Sequence, residues 1–268
     1  MNKKELAKVL GVSRSLLYYK HKQKEKDWKL KQDIEKVLRK FPSYGHKRIA
    51  GELGVNKKRV LRVMKIYSIQ PYRRRGKKWR KSKKNPLIAF PNILLSEFPK
   101  KLNQIWASDF TYLPFKGKWI YLATVMDLFN REVVGFSILN NHSSQLVINA
   151  LLSAVHKHSP ANIIHSDQGS EYLSKDYIEL AENLGIRLSM SQKGSPWENG
   201  YQESFYSQFK VDLGDPNRFK TLGELVYEIY RTIWKYNNER IHTALKMSPI
   251  QFTNQFLIRE FVSKKMGT

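Results

Sequence analysis

Three acidic side chains stand where the surrounding pattern has no structural use for them. Asp109 interrupts the alternating stretch 104–113, and aspartate is disfavoured inside a strand. Asp167 closes the short apolar run 162–166, where side chains emerge from the end of a sheet. Glu203 follows after 35 intervening residues, on a helix whose buried stripe is Phe205, Phe209 and Leu213. It lies about 200° around that helix from Phe205, on the open side with Ser207 and Lys210. Each acid alone fits a surface residue, so the weight lies in the three together. Carboxylates converging at one sheet edge raise one another's pKa, and a pair of divalent cations would relieve the repulsion. Hard oxygen ligands suit Mg²⁺ or Mn²⁺. Two such ions about 3.5–4 Å apart can hold both the attacking and the leaving oxygen of a phosphoryl transfer.

The elements that must position these acids follow from periodicity. Residues 104–113 place Ile105, Ala107, Asp109, Thr111 and Leu113 on one face and Trp106, Ser108, Phe110 and Tyr112 on the other. A turn at Lys116-Gly117-Lys118 leads to strands over 119–127 and 132–139. Helix 144–156, strand 162–166, helix 174–184 and strand 186–190 come next. Ser195-Pro196-Trp197-Glu198 then reads as a capping box with proline at the first helical position, which gives Glu198 a purely structural use. The order β-β-β-α-β-α-β-α predicts an α/β, ribonuclease-H-like mixed sheet flanked by helices.

Charge divides the chain. Its 268 residues carry a net +25, of which +23 falls in residues 1–100 and +2 in 101–268. Such an excess points to a polyanion, chiefly nucleic acid. Within the basic arm a pattern recurs at an offset of 43: Leu6, Ala7, Leu10, Gly11, Val12, Leu17 and Ile49, Ala50, Leu53, Gly54, Val55, Val60. The small Ala, the turn Gly and the later aliphatic are what a helix-turn-helix needs, with Ser13 and Asn56 as helix caps. Helical hairpins without a DNA role fit the same spacing. Read as DNA-binding, the second helices expose Arg14, Ser15 and Lys20 in one copy and Lys57, Lys58, Arg59 and Arg62 in the other. Residues 72–84 hold nine Lys or Arg and no acid, including Arg73, Arg74, Arg75, Lys77, Lys78 and Arg80 around Tyr72 and Trp79. That block is either a solvated linker or a tether along a DNA backbone.

Other classes drop out. The absence of cysteine removes disulfides, thiolate nucleophiles and Cys-ligated zinc. No apolar run reaches a membrane span, and Lys3 and Lys4 lead into no signal-peptide core. No phosphate-binding glycine loop or Ser/His/Asp grouping is present. His156 and His158 read as a helix end, and Glu171 as a surface or capping residue near Asp167. His165 fits either a supporting role beside Asp167 or a filled core position. The stripe Leu222, Leu225, Val226, Ile229, Tyr230 and Ile233 fits core packing or a subunit contact.

The segments 106–112, 165–172 and 194–200, running on to Glu203-Ser204-Phe205 and Lys210, resemble the DDE catalytic core of retroviral integrases and insertion-sequence transposases. With Tyr236-Asn237, Arg240, His242, Leu245, Ser248-Pro249 and Phe252 they resemble in particular the OrfB-type transposases of insertion-sequence family three. The resemblance implies Asp109, Asp167 and Glu203 as catalytic ligands of two Mg²⁺ or Mn²⁺ ions, with Lys210 touching DNA nearby. It implies strand cleavage and joining at inverted-repeat ends and at target DNA, through a circular intermediate, by a homo-oligomer in the bacterial cytoplasm. Family members commonly act as a fusion with, or beside, an upstream-frame protein bearing a leucine zipper, and no sustained heptad is found here. A non-catalytic regulator occupying the element ends is the alternative. The organisation expected is a paired helix-turn-helix region over 1–70, a basic linker over 71–100, the catalytic core over 101–215 and a helical extension over 216–268.

Overall fold

The computed structural model describes residues 2–13, 23–72, 90–192 and 195–266. The chain forms two compact units, one of residues 1–40 with 44–71 and one of 41–43 with 72–268.

The first unit is helical, with α1 (Lys3–Val9), α2 (Gln23–Lys40), α3 (His46–Glu52) and α4 (Lys57–Ile66). Leu30, Ile34 and Val37 recur at helical spacing along α2 and are buried, together with Ile49 and Ala50 of α3 and Val60, Val63 and Met64 of α4. The repeat is visible in the backbone. Val12 N–H reaches the Ala7 carbonyl at 3.1 Å and Val55 N–H reaches that of Ala50 at 3.0 Å. Gly11 and Gly54 both turn at φ +62°, a conformation that glycine adopts without steric cost. Asn56 caps α4 by accepting from the Lys58 N–H at 2.8 Å. The second helix expected in the first copy lies outside the described residues.

The second unit is built on β1 (Ile105–Phe115), β2 (Lys118–Asp127), β3 (Val133–Leu139), β4 (Ile163–Ser166) and β5 (Arg187–Met190). Their order is β3-β2-β1-β4-β5. The first three form an antiparallel meander, and β4 and β5 run parallel to β1. Around them lie α5 (Ser144–Lys157), α6 (Lys175–Asn183), α7 (Gly200–Leu213), α8 (Leu222–Asn238) and α9 (Pro249–Met266). This is the ribonuclease-H-like mixed sheet.

Alternation along β1 and β2 divides the core. Trp106, Ala123 and Val125 join Leu146, Ala150 and Ala154 of α5 and Tyr177 and Ala181 of α6 in one cluster. Leu113, Phe115, Ile120 and Leu122 join Phe205, Phe209 and Leu213 of α7 and Leu225, Ile229 and Ile233 of α8 in another. Gly135 is where α5 presses hardest on β3: an added Cβ would stand 2.5 Å from the Ala150 carbonyl oxygen. Asn237 of α8 serves as a strand partner for β3. It accepts from Val133 N–H at 3.0 Å and donates to the Val133 carbonyl at 2.9 Å. Among the described residues no helix is long and apolar enough to cross a membrane.

Candidate active site

Asp109 sits midway along β1 and Asp167 just past the end of β4. The parallel register ends with Ala107 paired to His165, each two residues before its aspartate. Each aspartate is steadied by a backbone N–H. Asp109 Oδ1 accepts from Phe110 at 2.8 Å, and Asp167 Oδ1 accepts from Gly169 at 3.0 Å. Gly169 also makes room, since a Cβ there would crowd Asp167 Oδ1 at 3.0 Å and Glu171 Oε2 at 3.1 Å.

Glu203 arrives on α7, which is fastened to the sheet by the polar residues on either side of it. Gln202 is fully buried. Its Nε2 donates to the Ala107 carbonyl at 2.6 Å and to that of Thr124 at 3.3 Å, while its Oε1 accepts from the Thr124 hydroxyl at 3.0 Å. One turn later the Tyr206 hydroxyl donates to the carbonyl of Asp109 itself at 2.6 Å. With Gln202 and Tyr206 turned to the sheet, Glu203 points outwards.

The electrostatics report the convergence. The Asp109 carboxyl is pushed up to about 7, first by burial, then by Asp167 and by Glu203. The Phe110 N–H and the Lys210 ammonium oppose the rise. Asp167 is also raised, by desolvation at the sheet end and by Glu171. Lys210 lies with its Nζ 5.2 Å from the centre of the Tyr112 ring. No group of three His, Asp or Glu side chains among the described residues is already closed to metal-binding spacing. The donor set nevertheless fits a divalent cation, being oxygen-only and destabilised by its own negative charge.

Several neighbours have structural duties. His165 is buried, with Nδ1 2.9 Å from Ser189 Oγ, and burial pushes it down to about 4, so it is neutral. Burial works against ionising Glu171, but His142 at 2.8 Å and its other hydrogen bonds hold it below the ordinary range. Glu198 corrects the capping-box expectation. Residues 196–199 form a 3₁₀ turn, α7 starts at Gly200, and Glu198 Oε2 accepts from Asn92 Nδ2 and Gln192 N–H, each at 2.7 Å. Its carboxylate ties two distant segments together instead of closing a helix start.

In the helical unit Lys57, Lys58 and Arg59 are exposed on α4. Arg62 is committed to an ion pair with the buried Asp27 of α2 at 2.5 Å, which lowers the Asp27 pKa. Arg14, Arg73, Arg74, Arg75, Lys77, Lys78 and Arg80 lie outside the described residues.

Comparison with known proteins bears on this arrangement. Residues 99–196 and 184–249 match two family models, each described as an integrase core domain. The transposase for insertion sequence element IS904 of Lactococcus lactis is 34% identical over 194 residues, 71% of this chain and 77% of that protein. The insertion element IS600 31 kDa protein of Shigella sonnei is 31% identical over 268 residues, covering 94% of this chain and 98% of its own. The chain belongs to the IS3-family transposases. Among solved structures, the transposase is similar to the HTLV-2 integrase catalytic core domain in complex with magnesium. The TM-score is 0.44 and the identity 23%, covering 56% of this chain and 95% of that one.

Gln202, Tyr206 and Thr124 are the parts of the transposase site that its sequence pattern does not announce. Gln202 and Tyr206 are four apart and each adjoins the Phe205 stripe, so both read as flank of the helix. The available signal is that spacing: two hydrogen-bonding residues on one face, bracketing the glutamate.

Proposed function

We propose that the transposase cleaves and rejoins DNA strands at the ends of its element by phosphoryl transfer, with Asp109, Asp167 and Glu203 holding two Mg²⁺ or Mn²⁺ ions. The observation that carries this reading is the gathering of Asp109 of β1, Asp167 past the end of β4 and Glu203 of α7 around one buried carboxyl, that of Asp109, which burial first and the charges of Asp167 and Glu203 next push up to about 7. A site that leaves its own acid half-protonated near neutrality is one that gains from cations. When bound, the cations supply charge neutralisation at the reacting phosphate and lower the pKa of the attacking water.

The protein's part is positioning and charge. Asp109 comes from β1, Asp167 from the residue just past β4, and Glu203 completes the set from α7. Lys210 offers a cation to the phosphate strand beside them. In the first step a water oxygen bonds to phosphorus and the P–O3′ bond breaks, so the freed 3′ oxygen ends as a hydroxyl. In the second, that hydroxyl oxygen bonds to a second phosphorus and displaces the target strand's 3′ oxygen, which takes up the proton. One P–O bond forms for each one broken, so no outside energy source is needed. His165, neutral and tied to Ser189, plays no part in proton transfer. The exposed Lys57, Lys58 and Arg59 supply sequence-independent phosphate contacts on duplex DNA. Joining two element ends to a target calls for more than one copy of the chain.

The test is strand nicking and joining with Mg²⁺ and with Mn²⁺, on duplexes carrying the element's own ends. Glu203→Gln, Asp109→Asn and Asp167→Asn should fold, bind DNA at least as well as the parent, and lose cleavage by several orders of magnitude. Glu198→Gln should keep most activity, because one amide oxygen can accept from both Asn92 and Gln192. A Glu203→Gln variant that cleaves like the parent would overturn the site. A parent as inert as its variants on correct ends would leave a DNA-binding regulator as the better description.

A further inference from the structure

The hairpin that carries Asp109 continues past it into a surface unlike the rest of the sheet. Strands β1 and β2 extend to Phe115 and Lys118, and on the face that carries Trp106 and Phe110 this far end bears Tyr112 and Trp119. Both are large, aromatic and half exposed, at 50% and 49%. Their rings meet edge to face, with centroids 5.0 Å apart and an interplanar angle of 86°. Two aromatic side chains left in water at a strand end do little for the core, and a hydrophobic contact alone would not call for a cation. One is there: Lys210 Nζ sits 5.2 Å from the Tyr112 ring centre, and the same ammonium bears on the Asp109 carboxyl. Lys118 is exposed at the hairpin end. Asp109 lies on the opposite face of β1 from Tyr112 and Trp119, so Lys210, which bears on both, is the link between the active-site acid and the aromatic pair.

Among the described residues no strand pairs with β1 on its β4 side beyond Ala107, so that edge of the strand is open between the face of Asp109 and the face of Tyr112. Aromatic faces take any base by stacking, and a nearby cation meets the phosphate that accompanies it. A paired base inside a duplex offers no face to them.

We infer that Tyr112 and Trp119 form a stacking platform for an unpaired nucleobase of the strand whose phosphate lies at Asp109, with Lys210 bridging the two. The inference rests on the reading of Asp109 as part of a DNA-cleaving site. It adds that the substrate is opened next to the cut and that the platform holds it open.

The experiment titrates the full-length chain, without divalent metal, with two duplexes of one sequence. One is blunt and the other ends in three unpaired nucleotides that include 2-aminopurine. The parent should prefer the unpaired end by about tenfold, as expected for one stacked base, with a change in 2-aminopurine emission. Tyr112→Ala with Trp119→Ala should abolish the preference and the emission change while leaving affinity for the blunt duplex and its salt dependence intact. Tyr112→Phe and Trp119→Phe keep the rings and should keep the preference. Lys210→Ala should flatten the salt dependence by about one phosphate contact and retain the emission change. A preference that survives loss of both rings would overturn the inference. So would equal loss of blunt and unpaired binding, or a change in sedimenting mass showing that the rings join two copies of the chain. Because no metal is present, an inert parent in the nicking assay would sink the cleavage reading without altering this titration.

Discussion

Replacing Asp109 by asparagine should stabilise the metal-free transposase, and do so increasingly as pH rises. The folded chain holds the Asp109 proton up to about pH 7, against an ordinary value of 3.8. Since the folded state binds this proton more tightly than the unfolded one, ionisation counts against folding. The group costs nothing below about pH 4, and stability falls as pH rises from there to about 7. At about 1.4 kcal/mol per tenfold change in proton affinity, the whole rise comes to about 4 kcal/mol, of which about 3 kcal/mol falls between pH 5 and 8. Asparagine is neutral throughout and can still accept from the Phe110 N–H. The gap between variant and parent should therefore widen by up to about 3 kcal/mol across that window, or roughly 6–12 °C in Tm. Denaturant and thermal melts at pH 5, 6, 7 and 8 with a chelator present measure it. Comparing the two curves cancels the raised carboxyls Asp127 and Glu132, whereas Asp167, coupled to Asp109, titrates as part of the measured gap. Addition of Mg²⁺ should then lift the parent at pH 8 and leave the variant nearly unmoved. Parallel pH curves for the two proteins would refute the argument, because they would mean that Asp109 does not hold its proton under its neighbours' charge.

Three further outcomes follow from the geometry. Gln202→Ala strips the Ala107 carbonyl and Thr124 of their partner and should cost about 1–3 kcal/mol in a melt; strand cleavage should fall further than that loss explains, and a variant as active as the parent would show that α7 needs no such fastening. In the helical unit, Lys57, Lys58 and Arg59 changed together to alanine should lower the slope of log affinity for duplex DNA against log salt by about 3. Arg62→Ala should instead appear mainly as lost stability, since it leaves the buried Asp27 without its partner, and a filter-binding series at several salt concentrations separates the two effects.

Much of this architecture is legible in the residues. The alternation along 104–113 and the polar turn at Lys116-Gly117 give β1 and β2 to within two residues, because a sheet with a different core on each face imposes period two. The three acids are legible because each breaks a local rule without local compensation. What escapes is whatever depends on a distant partner. Ser195 and Glu198 have the spacing of a capping box, yet the Glu198 carboxylate turns to Asn92, 106 residues away. Gln202 and Tyr206 resemble the solvent flank of an amphipathic helix, since nothing nearby in the chain says that backbone carbonyls of β1 and β2 wait there. Arg62 resembles its cationic neighbours until α2 brings up Asp27. Periodicity finds surfaces; it does not find which polar groups meet across them.

The hydrogen bond from Tyr206 to the Asp109 carbonyl also has a consequence for how the chain folds. A strand that slips by one residue turns every side chain to the opposite face. Were β1 to slip, the carbonyls beneath Gln202 and Tyr206 would belong to the wrong residues and the Asp109 carboxylate would turn to the face that packs on α5 and α6. Because α7 finds its two buried partners only when β1 is in register, docking of the helix selects the one pairing in which Asp109 and Glu203 come together. Misregistered chains would lack a seat for α7 and leave Phe205 and Phe209 uncovered, so assembly errors would be exposed to water where chaperones and proteases can act on them.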